Sequence, residues 1–226
     1  MKRILLLCSV ALTMLISAKA QNVTNEQISG KNFFKSLNGS YIELFSKTTC
    51  LSPKYDDLWK SETLKYIDST KADSVIAAIQ GMCQGKRTGT EAIAYNKQNN
   101  SALFCCSFLQ GVRRFEIRNN RITGYDSDKN VVFSHKYKFK EKDGNGNYIF
   151  ESVDGNFDEF RYFWFMPDSP KSTYHIEFRY GSDKSQLSQM TEGKYAFWMA
   201  AGVRDGQEEE WRNGIVLFIA ERLKGE

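Results

Sequence analysis

Residues 160–181 read FRYFWFMPDSPKSTYHIEFRYG. Two aromatic-rich alternating runs flank Pro167, Asp168, Ser169 and Pro170, which supply fixed φ angles and Asx-type turn chemistry. The stretch predicts two antiparallel strands joined by a tight loop. Side chains on a strand alternate, so Tyr174, Ile176, Phe178 and Tyr180 share one face of the second strand, and His175, Glu177 and Arg179 share the other. One of the chain's two histidines therefore lies beside a carboxylate on the same face. A tight loop would add Asp168 to that neighbourhood.

The same texture extends upstream. Residues 113–118, 121–125, 131–141 and 148–153 read as strands, separated by Asn119-Asn120, by residues 126–130 and by Asp143-Gly144-Asn145-Gly146, a strong hairpin signal. The apolar runs 92–95 and 102–109 continue the expected strand texture toward the middle of the chain. Short strands at this spacing argue for an antiparallel meander, closed as a barrel or stacked as a sandwich. A barrel is favoured, because so long a sheet must otherwise manage its edges.

Helices are expected on either side of the meander. Residues 56–68 carry a partial helical pattern. Val75, Ile76, Ile79, Met82 and Cys83 form a clearer amphipathic stripe that starts near Lys71 or Asp73 and ends at Gly85 and Gly89. Residues 33–45 are mixed, with Asn38-Gly39 as a turn or helix boundary. Beyond the aromatic cluster Tyr195, Phe197 and Trp198 and a polar loop over 204–210, residues 211–223 read as a closing helix. The expected fold class is mainly β, with helices in the N-terminal third and at the C-terminus.

The chain opens with Lys2 and Arg3, an apolar run over residues 4–16 and an A-x-A cleavage pattern in Ser17-Ala18-Lys19-Ala20. The run is shorter than the roughly 20 residues of a membrane span, and Cys8 lies too early for a lipid anchor. Residues 1–20 are thus expected to be a cleaved signal peptide, 21–30 a flexible polar tail and 31–226 a single domain. That reading places the protein in the periplasm or outside the cell. The 31 basic side chains, less Lys2, Arg3 and Lys19, leave 28 against 27 acidic ones. Near neutrality without a basic block argues against nucleic acid as a partner.

Cys50, Cys83, Cys105 and Cys106 remain after processing, an even number that favours disulfides in an oxidising compartment, with three possible connectivities. Adjacent Cys105 and Cys106 point to opposite strand faces and are expected to have different partners. No C-x-x-C pairing suggests a thiolate zinc module. No G-x-S-x-G, P-loop or H-E-x-x-H pattern occurs, and two histidines leave little room for a catalytic triad. The chain reads as a binding protein rather than an enzyme.

Helices, a long meander and a C-terminal helix, together with RFEIRNNRITG at 114–124, YIFES at 148–152 and KSTYHIEFRYGSDKSQLSQM at 171–190, resemble the ZinT family of periplasmic zinc-binding proteins. The resemblance runs from about Leu37 to Leu223. It implies a lipocalin-like (calycin) barrel with extra helices and a role in binding and trafficking zinc or another divalent metal. A metal ABC importer's binding protein is the implied partner. The family's three zinc-binding histidines fall near Asp168, on His175 and on Glu177. Only the middle position keeps its imidazole, and the family's histidine-rich N-terminal segment has no counterpart. One nitrogen and two carboxylates form a less zinc-selective set, open to manganese, nickel or calcium.

Two plainer readings stand beside this one. Asp168 caps a turn, His175 is a half-buried strand residue and Glu177 pairs with Arg179 or another cation. His135 is read as an ordinary strand residue. Alternatively a metal-free barrel uses Trp164, Tyr174, Phe178, Tyr180 and Trp198 to line a cup for a small apolar ligand, or binds a protein partner.

Overall fold

A computed structural model of the chain describes residues 26–45, 53–155, 157–167, 175–206 and 208–224. The segment expected to be a signal peptide, Cys50, Asp168 and Tyr174 lie outside the described residues.

Eight strands form a closed antiparallel barrel in sequence order: β1 (Gly39–Glu43), β2 (Arg114–Arg118), β3 (Arg121–Tyr125), β4 (Val131–Lys142), β5 (Tyr148–Ser152), β6 (Tyr162–Phe165), β7 (Ile176–Gly181) and β8 (Ala200–Arg204). Closure comes from β1, which pairs with β2 through Tyr41 and Phe115 and with β8 through Ile42 and Val203. The sheet therefore has no free edge to invite pairing with another chain. Four strands, β2 to β5, fall within one or two residues of the sequence expectation. Their polar turns are short, so each hairpin is fixed locally.

The hairpin between β4 and β5 shows how. Asp143 N donates to Asn147 O and Gly146 N returns a bond to Asp143 O, each at 3.0 Å. The Asp143 carboxylate also accepts from the backbone of Asn145 and Asn147, from the Asn147 amide and, at 2.7 Å, from Trp164 Nε1 of β6. Partial burial alone would raise the Asp143 pKa, but these donors outweigh it and hold the carboxyl below its ordinary range. A depressed native pKa stabilises the fold above the unfolded value of about 3.9 and the benefit is lost as pH falls through the native one. Asp143→Asn is therefore expected to be less stable than the parent at neutral pH, with the gap closing below about pH 3.9. Urea titrations at several pH values check this; a gap that persists unchanged into acid would refute it.

Inside the barrel the alternation fills the interior with rings. Phe115, Phe133, Tyr137, Phe163, Phe165, Phe178 and Tyr180 all belong to one buried cluster. Phe163 lies within 5.2–6.1 Å, ring centre to ring centre, of Phe115, Phe133, Tyr137, Phe165, Phe178 and Tyr180. These are ordinary aromatic packing distances.

Helices sit against the barrel. Residues 26–36 are helical (α1), so helix begins inside the stretch expected to be a flexible tail. Phe34 of this helix packs edge-on to Phe150. Helices α2 (Asp56–Thr63), α3 (Ala72–Gly81) and α6 (Glu208–Leu223) share a second core of Trp59, Ile79, Ile215, Phe218, Ile219 and Leu223. A third small cluster joins this layer to the outer side of the barrel through Leu44, Cys106, Ala201 and Val203, with Cys83 and Trp211 packed on it. The helical layer thereby covers part of a sheet face that would otherwise be solvated.

The segment after α3 departs from expectation. Residues 92–95 were expected as a strand and lie within helix α4 (Gly89–Asn99), which buries Ala92 and Asn96. Four apolar residues cannot distinguish the two periods, and the helix is held by its ends: Thr88 is extended before it and Asn100 takes the left-handed conformation after it. Residues 102–109 are irregular. Cys105 makes single bridges to Gln84 and Trp198. A short helix α5 (Lys184–Leu187) follows β7, its Ser185 N bonded to the Asp183 carboxylate.

Candidate metal centre

β7 carries the candidate ligands as alternation requires. Ile176, Phe178 and Tyr180 face the barrel cluster, so Glu177 and Arg179 take the opposite face, with His175 just before the strand. Glu177 is anchored through its backbone, opposite Ala201 of β8 and accepting from Met166 N at 3.1 Å. The His175 Nε2 to Glu177 Oε1 separation is 3.4 Å, with the imidazole largely buried and the carboxylate partly so.

The electrostatics favour an ionised carboxylate. Burial pushes the Glu177 pKa up, but the His175 hydrogen bond and charge and the nearby Arg222 charge more than offset it. Arg222 comes from α6, and the charge of Glu177 is felt by the thiols of Cys83 and Cys106. None of these three neighbours was singled out from the sequence as part of the site. No local spacing could reveal them, because the tertiary fold alone brings α6, the end of α3 and residue 106 to β7.

Arg179 does not pair with Glu177. It is fully buried and its guanidinium donates to the carbonyls of Leu187, Gln189 and Tyr195, strapping the loop after α5 onto the barrel. Burial draws its pKa down to about 10, which leaves it charged at neutral pH.

His135 lies on β4 between two carboxylates, Nδ1 3.4 Å from Asp154 and Nε2 3.5 Å from Asp158. Among the described residues no three His, Cys, Asp or Glu side chains are gathered tightly enough to hold a metal ion by themselves. The His175–Glu177 pair thus supplies two donors, and Asp168 lies outside the described residues.

The aromatic cup residues divide. Phe178 and Tyr180 point into the packed interior, and Trp198 stands edge-on to Tyr180 at 4.9 Å. Trp164 sits opposite Arg179 in the β6–β7 register, on the other strand face from Phe163 and Phe165. The described residues do leave a cavity of about 280 Å³. It lies between α1 and strands β4 and β5, lined by Phe34, Tyr137, Phe139 and Phe150, away from the cup residues.

The fold is similar to that of a ZinT-like domain. The Zn(II)-bound ZinT-like domain of Streptococcus pneumoniae AdcA superposes with a TM-score of 0.49 at 11% identity, over 83% of this chain and 89% of that one. Zn(II)-bound AdcA from Streptococcus pneumoniae gives 0.49 and 11%, over 82% of this chain and 35% of that one, so this chain spans about a third of AdcA's length. No protein-family model matches the sequence, and no curated protein matches it. Among the described residues no helix is long and apolar enough to cross a membrane.

Proposed function

We propose that this protein binds a divalent metal ion, zinc in the first instance, at the outer face of β7. The observation that carries the reading is the 3.4 Å between His175 Nε2 and Glu177 Oε1. Two donors on a tetrahedral ion with bonds of about 2.1 Å stand roughly 3.4 Å apart, so this pair matches one edge of a zinc shell. The lowered Glu177 pKa supports the reading, since a metal-binding carboxylate must be ionised. Asp168, upstream of His175 in the sequence, is the proposed third ligand, as the sequence resemblance implies. When bound, the ion would be held for carriage rather than catalysis, because two carboxylates cancel its charge. Release to the binding protein of a metal importer completes the reading, with the ion as cargo. The rival, a cup for an apolar ligand, has less support from an interior so filled with rings.

Native mass spectrometry of the mature protein, stripped of metal and titrated with zinc, tests this. One zinc per chain is expected, with affinity falling by more than about 100-fold in His175→Ala, since even supporting residues cost 10–100-fold. No adduct, or one indifferent to both His175→Ala and Glu177→Gln, would sink the proposal.

A further inference from the structure

Near Glu177 lie two thiols, Cys83 and Cys106, whose packing the fold explains but whose chemistry the metal reading does not use. Gln84 and Cys105 face each other in an antiparallel bridge, with Gly85 N donating to Phe104 O at 3.0 Å. Cys83 and Cys106 are the residues that flank this single isolated bridge, one on each segment. A disulfide spans Cα atoms roughly 4.4–6.8 Å apart, about the separation of residues facing each other across antiparallel segments. The side chains agree with the backbone. Cys83 and Cys106 meet in the same apolar cluster under the helical layer, and their sulfurs are hydrogen-bonded to each other. Cys105 points the opposite way, into the barrel cluster, and its thiol is hydrogen-bonded to Ser107. All three described cysteines are free thiols in this structure.

We propose that Cys83 and Cys106 form a reversible dithiol–disulfide pair, with Cys83 as the attacking sulfur and Cys106 as the resolving one. Cys83 is half-buried and Cys106 buried, so an external disulfide reaches Cys83 first. The oxidant is a small-molecule or protein disulfide. Cys83 thiolate attacks one of its sulfurs, the donor S–S bond breaks and one thiolate leaves. Cys106 then gives up its proton and attacks the Cys83 sulfur, breaking the mixed disulfide and releasing the second donor thiolate. Two protein thiols are oxidised, one disulfide is reduced to two thiols, and the leaving thiolates take up the protons. The bond ties the turn after α3 to the segment that bridges Trp198, just before β8.

The test uses the reduced mature protein, treated with glutathione disulfide, alkylated with N-ethylmaleimide in denaturant, digested and mapped by mass spectrometry. The expected result is loss of two alkylatable thiols and one cross-linked peptide joining Cys83 to Cys106. Cys106→Ser is expected to trap glutathione on Cys83, and Cys83→Ser to trap several-fold less on Cys106. The parent cross-link map decides the pairing even if a variant fails to fold. Both thiols remaining alkylatable, a link from either to Cys50 or Cys105, or glutathione trapped preferentially on Cys106 would each overturn the proposal. So would zinc at stoichiometric ratio blocking oxidation of both, which would make them ligands instead.

Discussion

Arg179→Met is expected to destabilise the fold by about 3–5 kcal/mol, the combined cost of leaving three buried carbonyls without their donor. Arg179 is fully buried, and its donors satisfy three carbonyls in the stretch from Leu187 to Tyr195. Each buried acceptor left without a donor costs about 1–3 kcal/mol, and methionine supplies none while filling similar space. Lysine should recover only part of the loss, because one compact ammonium cannot span carbonyls that a planar fork reaches from both ends. Urea unfolding followed by Trp fluorescence measures this, read as a lower midpoint at unchanged slope. A loss below about 1 kcal/mol would show that the carbonyls find water or other donors. The strap also bears on the candidate site. Arg179 neighbours Glu177 on the same strand face, so its loss should loosen the region around His175 even where the barrel survives.

Phe163→Ala should cost a comparable amount, about 3–5 kcal/mol for a buried phenylalanine truncated to alanine. Its ring is fully buried and touches rings from β2, β4, β6 and β7. Those neighbours are held by a closed hydrogen-bonded sheet, so they cannot collapse freely into the space left behind. The cavity term is therefore expected near the upper end of the range. For a chain of this size the thermal midpoint should fall by roughly 10 °C. Benzene, which enters dry apolar cavities of this kind, should raise the variant's midpoint and leave the parent's unchanged. A midpoint within about 2 °C of the parent would mean that the barrel interior repacks, and would revive the idea of an adaptable cup.

The two substitutions probe different levels of the chain. The aromatic strand that holds Phe163 was legible from sequence, but not which of its faces points inward: the expected cup used Trp164, whereas Phe163 and Phe165 fill the barrel. The burial of Arg179 was not legible. Alternation assigned it correctly to the face of His175 and Glu177, and the plain reading offered it, or another cation, as a surface partner of Glu177; the cations at Glu177 are His175 and Arg222. Arg179 is buried because α5 and the loop to Trp198 fold back over that face, which no local pattern announces. The strands closing the barrel were equally silent. β8 reads Ala-Ala-Gly-Val-Arg, with little intrinsic preference for a strand, and it exists because β1 and β7 offer it both partners.

Sequence by itself determined the strands from Arg114 to Ser152, the hairpin strands β6 and β7 and the shared face of His175 and Glu177, while closure of the meander through β1 and β8 was decided by the tertiary structure. Those strands and that face follow from side-chain period and turn chemistry, which act over a few residues. Only the tertiary structure decided that Gly89–Asn99 is helix, that Arg179 is a buried strap, and that Arg222, Cys83 and Cys106 gather around Glu177. Those outcomes depend on which distant segments come to cover a given face, and that is set by burial and hydrogen-bond satisfaction summed over the whole chain.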